Sequence, residues 1–117
     1  MSIINLRIDN IHYMHSRIRD RFTGNGRLIM DVYRELSEDI TRIHSIPLIK
    51  VYYLRCVKDG TYKYYSENNR RLYLFKLLAD AGYLETIQVR LVEATGKLKW
   101  QLTHNIYSLT ARMQNAI

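Results

Sequence analysis

The feature that most constrains the fold is a strand–turn–strand pattern in the middle of the chain. "IPLIKVYYLRCV" is rich in β-branched and aromatic residues, which favour a strand. "KDGTYKYYS" follows, and its Asp59–Gly60 pair predicts a tight turn before a second strand. The two strands are therefore expected to form a hairpin over residues 48–65.

A buried helix is predicted directly after this hairpin. It runs from about Asn68 to Ala81 and ends at Gly82, a residue suited to the left-handed position that follows a helix. Apolar residues cover most of its circumference and leave only a narrow polar wedge, which indicates burial on several sides. A hairpin that leads into a buried helix requires a sheet against which the helix can pack.

The N-terminal third predicts one extended region and two helices. "INLRIDNIHYMH" (residues 4–15) alternates apolar and polar residues, as in an edge strand or two short extended pieces. "SRIRDRF" (residues 16–22) predicts a short helix with Ser16 as its N-cap, ended by "TGNG". "RLIMDVYRELS" (residues 27–37) has the apolar spacing of a second helix.

The C-terminal segments predict further extended structure. "ETIQVRLVEA" (residues 85–94) alternates as a strand, and "KLKWQLT" (residues 97–103) is expected to pair with it. The last segment, residues 104–117, is compatible with either a helix or a strand. The chain is thus predicted to be a single α+β domain over residues 1–117, with helices packed on a small mixed β-sheet.

Charge and cysteine content restrict the partners and the compartment. The net charge of +7 favours anionic partners such as nucleotides or nucleic acids. Cys56 is the only cysteine, so a disulfide framework within the chain is excluded and a cytoplasmic or nuclear location is expected. The N-terminus does not resemble a signal peptide and no segment approaches the ~20 apolar residues that span a bilayer, so no membrane association is expected.

The sequence "SENNRR" places two arginines at the start of the buried helix. Cations there are disfavoured by roughly 0.3–1 kcal/mol each, because the unpaired amides of a helix start carry partial positive charge. If Asn68 caps the helix, then the amides of its first turn and the guanidinium groups of Arg70 and Arg71 suit a phosphate. The alternative is an asparagine cap followed by solvated arginines, paired with Glu67 or Glu35.

Several other residues are also candidates for ligand or metal binding. His15 and Ser16 are expected beside the ligand, although capping explains Ser16 equally well. The tyrosines and cations between residues 50 and 75 could form a basic stacking surface for a nucleotide base or single-stranded nucleic acid, or they could simply cover a sheet face. Asp31 and Glu35 could hold Mg²⁺ or lie on a solvated face. No histidine or cysteine has a metal-ligand spacing, so no protein-bound transition metal is expected.

The hairpin and helix "KDGTYKYYSENNRRLYLFKLLADAG", with the strand "ETIQVRLVEA" after them, resemble the core of the ParB/sulfiredoxin superfamily. In that family a strand, a turn and a second strand deliver a short arginine-bearing box onto a helix that ends in glycine. "IDNIHYMHSRIRDRF" resembles the family's opening strand and helix, and "IPLIKVYYL" resembles its next strand. The resemblance covers roughly residues 6–94 and implies a ParB/sulfiredoxin-like fold.

The family's box binds the phosphates of a nucleotide. It reads Gly-Glu-Arg-Arg in ParB-like proteins and Gly-Cys-His-Arg in sulfiredoxins. By position, Asn68 replaces the glycine, Asn69 replaces the glutamate or cysteine, and Arg70 and Arg71 match the basic pair. The absent cysteine argues against sulfiredoxin-type reduction of peroxiredoxins, and the absent glutamate removes a residue of ParB-like nucleotide hydrolysis.

The resemblance therefore implies a stand-alone ParB-like domain that binds a nucleotide, ATP or CTP, or the phosphates of a nucleic acid. Any activity is expected to be a Mg²⁺-dependent nuclease or NTP-hydrolysing reaction. One alternative is a small-molecule kinase or phosphotransferase on the same fold, with Glu35 or Glu67 as the catalytic base. Another is a non-catalytic protein-interaction domain.

Overall fold

A computed structural model describes residues 2–56 and 58–114. Within these ranges the chain forms seven strands and three α-helices, with two short 3₁₀ turns at Ile8–Asn10 and Ile40–Ser45. The strands are β1 (Ser2–Arg7), β2 (Ile11–Tyr13), β3 (Arg17–Arg19), β4 (Ile49–Arg55), β5 (Tyr62–Ser66), β6 (Thr86–Glu93) and β7 (Arg112–Gln114). The helices are α1 (Ile29–Glu38), α2 (Asn69–Asp80) and α3 (Gly96–His104).

Five of the strands form one mixed sheet in the order β1-β6-β4-β5-β2. Strand β4 is antiparallel to β5, its hairpin partner, and parallel to β6 on its other side. The N-terminal region is divided into two extended pieces, and these lie at opposite edges of the sheet. The predicted α+β class with a mixed sheet is confirmed.

The larger hydrophobic core lies between one face of this sheet and helices α1 and α2. Strands contribute alternate residues to it, such as Ile49 and Val51 of β4, because successive side chains of a strand point to opposite faces. Helix α1 buries residues at helical spacing along one side. The buried residues of α2 are Leu72, Leu74, Phe75 and Leu78.

The opposite face of the sheet carries a smaller cluster beneath α3. Tyr65 of β5 and Leu102 of α3 are buried there, together with Ala94. Leu98, one turn before Leu102, packs against the same cluster. The sheet therefore separates two packed layers of unequal size, with α2 and α3 on opposite sides.

The central prediction of a hairpin followed by a capped helix is confirmed. Strands β4 and β5 pair from Val51 opposite Ser66 to Arg55 opposite Tyr62. Helix α2 follows with Asn68 as its N-cap, and Gly82 after it has a φ of 86°, the left-handed conformation that glycine adopts most readily. None of the described helices is long and apolar enough to cross a bilayer.

The predicted helix over residues 16–22 is wrong. Residues 17–19 form strand β3, which buries Ile18 and pairs in parallel with β7. Ser16 therefore caps no helix, and its carbonyl accepts a hydrogen bond from the Arg112 amide at 2.8 Å. The partner strand lies more than ninety residues along the chain, so local spacing alone did not indicate the pairing.

The predicted strand over residues 97–103 is also wrong. This segment forms α3, and its Leu98 and Leu102 are one helical turn apart. The alternation of Leu98, Trp100 and Leu102 resembled a strand, but the helix leaves Trp100 60% exposed. For the last segment, which is compatible with either a helix or a strand, the structure shows strand β7. Residues 115–117 lie outside the described residues.

Candidate functional site

The start of α2 is held in place by two polar side chains. The Asn68 side-chain oxygen accepts a hydrogen bond from the Arg71 amide at 3.0 Å, as expected of an N-cap. Ser66, fully buried at the end of β5, accepts from the Asn68 amide at 3.1 Å and donates to the Asn68 carbonyl at 2.9 Å. The residues that precede the helix are therefore fixed against the sheet.

Asn69 connects the helix start to the loop between β2 and β3. Its side-chain oxygen accepts hydrogen bonds from the backbone amides of Met14 at 2.9 Å and His15 at 3.3 Å. This places His15 and the following strand β3 beside the first turn of α2. The Asn69 side chain therefore positions a loop.

The start of α2 and strand β3 border an open cavity of about 470 Å³. This volume lies within the range of small-molecule sites, roughly 300–1,000 Å³. Arg70 and Arg71 line the cavity from the helix, and Arg17 and Arg19 line it from β3. His15, Glu67, Asn68 and Asn69 also contribute to the lining.

The lining is strongly cationic. Among residues 2–56 and 58–114, none of the four arginines forms an ion pair. Glu67 is the only carboxylate in the described lining, and its Oε2 lies 3.7 Å from Nζ of Lys50. Arg70 donates a hydrogen bond to the Thr23 hydroxyl. The cavity thus combines four guanidinium groups with little negative charge to balance them.

Backbone donors complete the site. The first amides of a helix have no partner within the helix. Asn68 satisfies that of Arg71, whereas no acceptor in the described part of the chain bonds the amides of Asn69 and Arg70. Unpaired amides beside guanidinium groups form a suitable arrangement for a tetrahedral oxyanion, which can accept several hydrogen bonds at once.

The remaining candidates lie elsewhere. Glu35 is in α1, where both of its oxygens accept hydrogen bonds from Arg27, and this interaction lowers the pKa of Glu35. It does not line the cavity. Ser16 also lies outside the lining. In the described ranges, no three histidine, cysteine or acidic side chains group closely enough to hold a metal ion.

Sequence reasoning missed the arginines of β3. Arg17 and Arg19 flank the buried Ile18, and residues two apart in a strand share one face. The alternation Arg-Ile-Arg was a signal for a strand with a cationic face. Ile18 and Phe22 also have helical spacing, and this competing pattern favours a helix instead.

Comparison of the chain with protein-family models and with curated proteins finds no match.

Proposed function

We propose that this chain is a ParB/sulfiredoxin-like domain that binds the phosphate groups of a nucleotide or nucleic acid at the start of α2. The observation that carries the proposal is the meeting of Arg17 and Arg19 with Arg70 and Arg71 around one cavity. Four guanidinium groups so placed repel one another, and a multiply charged anion relieves that repulsion. A phosphate suits this site because its oxygens accept bidentate bonds from guanidinium groups and it carries more negative charge than a carboxylate.

The order of the elements from β4 to β6 supports the family assignment within this proposal, whereas the opening helix that the resemblance implies is replaced by strand β3. A hairpin leads into a helix that carries the asparagine–arginine box at its start, and a strand parallel to β4 follows. Asn68 and Asn69 occupy positions where the family has other residues, and both make structural hydrogen bonds here. This favours binding over catalysis as the basic function.

Any hydrolysis or phosphate transfer would need a base near the bound phosphate. Glu67 is the carboxylate available in the lining, and Lys50 lies beside it. A Mg²⁺ ion would come with the nucleotide, held mainly by its phosphates, as is usual for this ion. In Glu67→Gln we expect nucleotide binding to persist and any turnover of ATP or CTP to stop.

The proposal is tested by calorimetric titration with ATP, CTP and a short single-stranded DNA. We expect at least one to bind, and Arg71→Ala to weaken binding by about 1.5–3 kcal/mol, the usual value of a hydrogen bond to a charged group. Arg90→Ala is the matched control, because Arg90 is exposed on β6 and outside the cavity. No binding at millimolar concentration, or an equal loss in the control, contradicts the proposal.

Salt dependence separates the two ligand classes. When the protein's cations neutralise several phosphates of a nucleic acid, several counterions are released from that nucleic acid, so the affinity falls steeply with salt concentration. A free nucleotide makes fewer phosphate contacts. A steep slope for DNA that becomes shallower in Arg17→Ala would identify nucleic acid as the ligand.

A further inference from the structure

A second cavity, of about 630 Å³, lies on the other side of the sheet from α2. It is bordered by the end of the β4–β5 hairpin, by His12 of β2, and by α3 with the residues after it. Leu54 and Leu102 give it an apolar base, and both belong to the smaller hydrophobic cluster. It shares no lining residue with the cavity at the start of α2.

One wall of this cavity is aromatic. His12 and Tyr65 are paired across β2 and β5, and their ring centroids are 5.2 Å apart. Tyr107 meets Tyr65 edge-on, with the centroids 5.5 Å apart. Tyr65 is almost fully buried, so this wall is held rigidly by its neighbours. His12 and Tyr107 are partly exposed, so it is their rings that offer faces and edges on which another flat ring can stack.

The rim of the cavity is cationic. Arg55, Lys58, Lys63 and Lys99 belong to the lining, and the described lining contains no acidic residue. No ion pair forms at any of these four cations in the described part of the chain. The carboxylate of Asp59, in the hairpin turn, accepts hydrogen bonds from Thr61.

We infer that this cavity binds a planar aromatic anion, with its ring against the partly exposed rings of His12 and Tyr107 and its acidic group between Lys63 and Lys99. The apolar base and aromatic wall favour a flat ring, and the unpaired cations favour a negative charge. Such a ligand is either a nucleotide or an aromatic carboxylic acid. The inference does not depend on the proposed function, because it concerns different residues on the opposite face of the sheet.

The test is to titrate the full chain with each of four probes and to monitor the binding by two-dimensional NMR. AMP and 2-naphthoate each carry a ring and a charge, whereas ribose 5-phosphate lacks the aromatic ring and adenosine lacks the charge. We expect the backbone signals of Lys63, Tyr65 and Tyr107 to shift with AMP, 2-naphthoate or both. Binding of AMP alone assigns the ligand to nucleotides, and binding of 2-naphthoate alone assigns it to aromatic acids.

Substitutions inside and outside this cavity test where the aromatic anion binds. We expect the double substitution Lys63→Gln with Lys99→Gln to weaken aromatic-anion binding about tenfold or more, because two charge-assisted contacts are lost. Lys97→Gln, an exposed lysine of α3 outside the cavity, should leave the affinity unchanged. Arg71→Ala should also leave these three signals and their midpoint unchanged.

Three results would overturn the inference. One is the absence of shifts at Lys63, Tyr65 and Tyr107 with both aromatic anions at millimolar concentration. Another is a response of the Lys63, Tyr65 and Tyr107 signals to ribose 5-phosphate or adenosine at concentrations as low as those of the aromatic anions. The third is a loss of binding in Arg71→Ala with none in the double lysine variant, which would place the ligand at the start of α2 and support the proposed function instead.

Discussion

Substitution of Asn68 by aspartate separates the structural role of this residue from its place in the cavity. Asn68 caps α2 through its side-chain oxygen and also lines the cationic cavity. Aspartate caps a helix as well as asparagine does, and its negative charge is favourable at a helix start by about 0.3–1 kcal/mol. Alanine removes the cap and costs about 0.5–2 kcal/mol.

These free energies convert into shifts of the melting temperature. For a chain of 117 residues, the entropy of unfolding is about 0.25 kcal/mol/K, so 1 kcal/mol corresponds to about 4 °C. We therefore expect Asn68→Ala to melt about 2–8 °C lower than the unsubstituted protein and Asn68→Asp to melt about 1–4 °C higher. Differential scanning calorimetry at low salt without ligand measures both.

Phosphate binding is expected to change in the opposite direction in Asn68→Asp. A carboxylate about 5 Å from a bound phosphate charge costs roughly 1–3 kcal/mol at an effective dielectric constant of 20–80. This corresponds to affinity that is about 5- to 150-fold weaker. A variant that is both more stable and unchanged in nucleotide affinity would refute the placement of the phosphate, and one that is as unstable as Asn68→Ala would refute the capping argument.

Ser66, His12 and Glu35 each give a further prediction. Ser66→Ala should destabilise the fold by about 1–3 kcal/mol in denaturant unfolding, because the Asn68 amide loses a buried partner. Burial lowers the pKa of His12, so the unfolded chain takes up the proton first and the free energy of unfolding should fall as pH drops below about 6.5. That part of the pH dependence should be absent in His12→Asn, whose amide can still donate to the Tyr64 carbonyl as His12 does. Glu35→Gln should leave nucleotide affinity unchanged in calorimetry, because Glu35 lies outside the cavity.

The hairpin, helix α2 and its cap could be predicted because their signals are local. The turn residues Asp59 and Gly60, the cap Asn68 and the terminal Gly82 each act within a few residues of their own position. The four box residues from Asn68 to Arg71 line one cavity, as is natural for neighbours in the chain at one helix start.

The features that the sequence did not predict depend on contacts between residues that are far apart in the chain. Strand β3 exists because β7, near the other end of the chain, pairs with it, and this pairing brings Arg17 and Arg19 to the cavity. In α3, burial of Leu98 and Leu102 against the far face of the sheet outweighs an alternation that also suited a strand. Both errors arose where tertiary contacts decide between two compatible local patterns.

The most direct test of the proposed phosphate site is a titration of the isotope-labelled protein with ATP and with CTP, followed through individual NMR signals. We expect the backbone amides of Asn69 and Arg70 and the guanidinium signals of Arg17 and Arg71 to shift together with one midpoint. Shifts confined to other parts of the chain, or no shift at millimolar nucleotide, would contradict it.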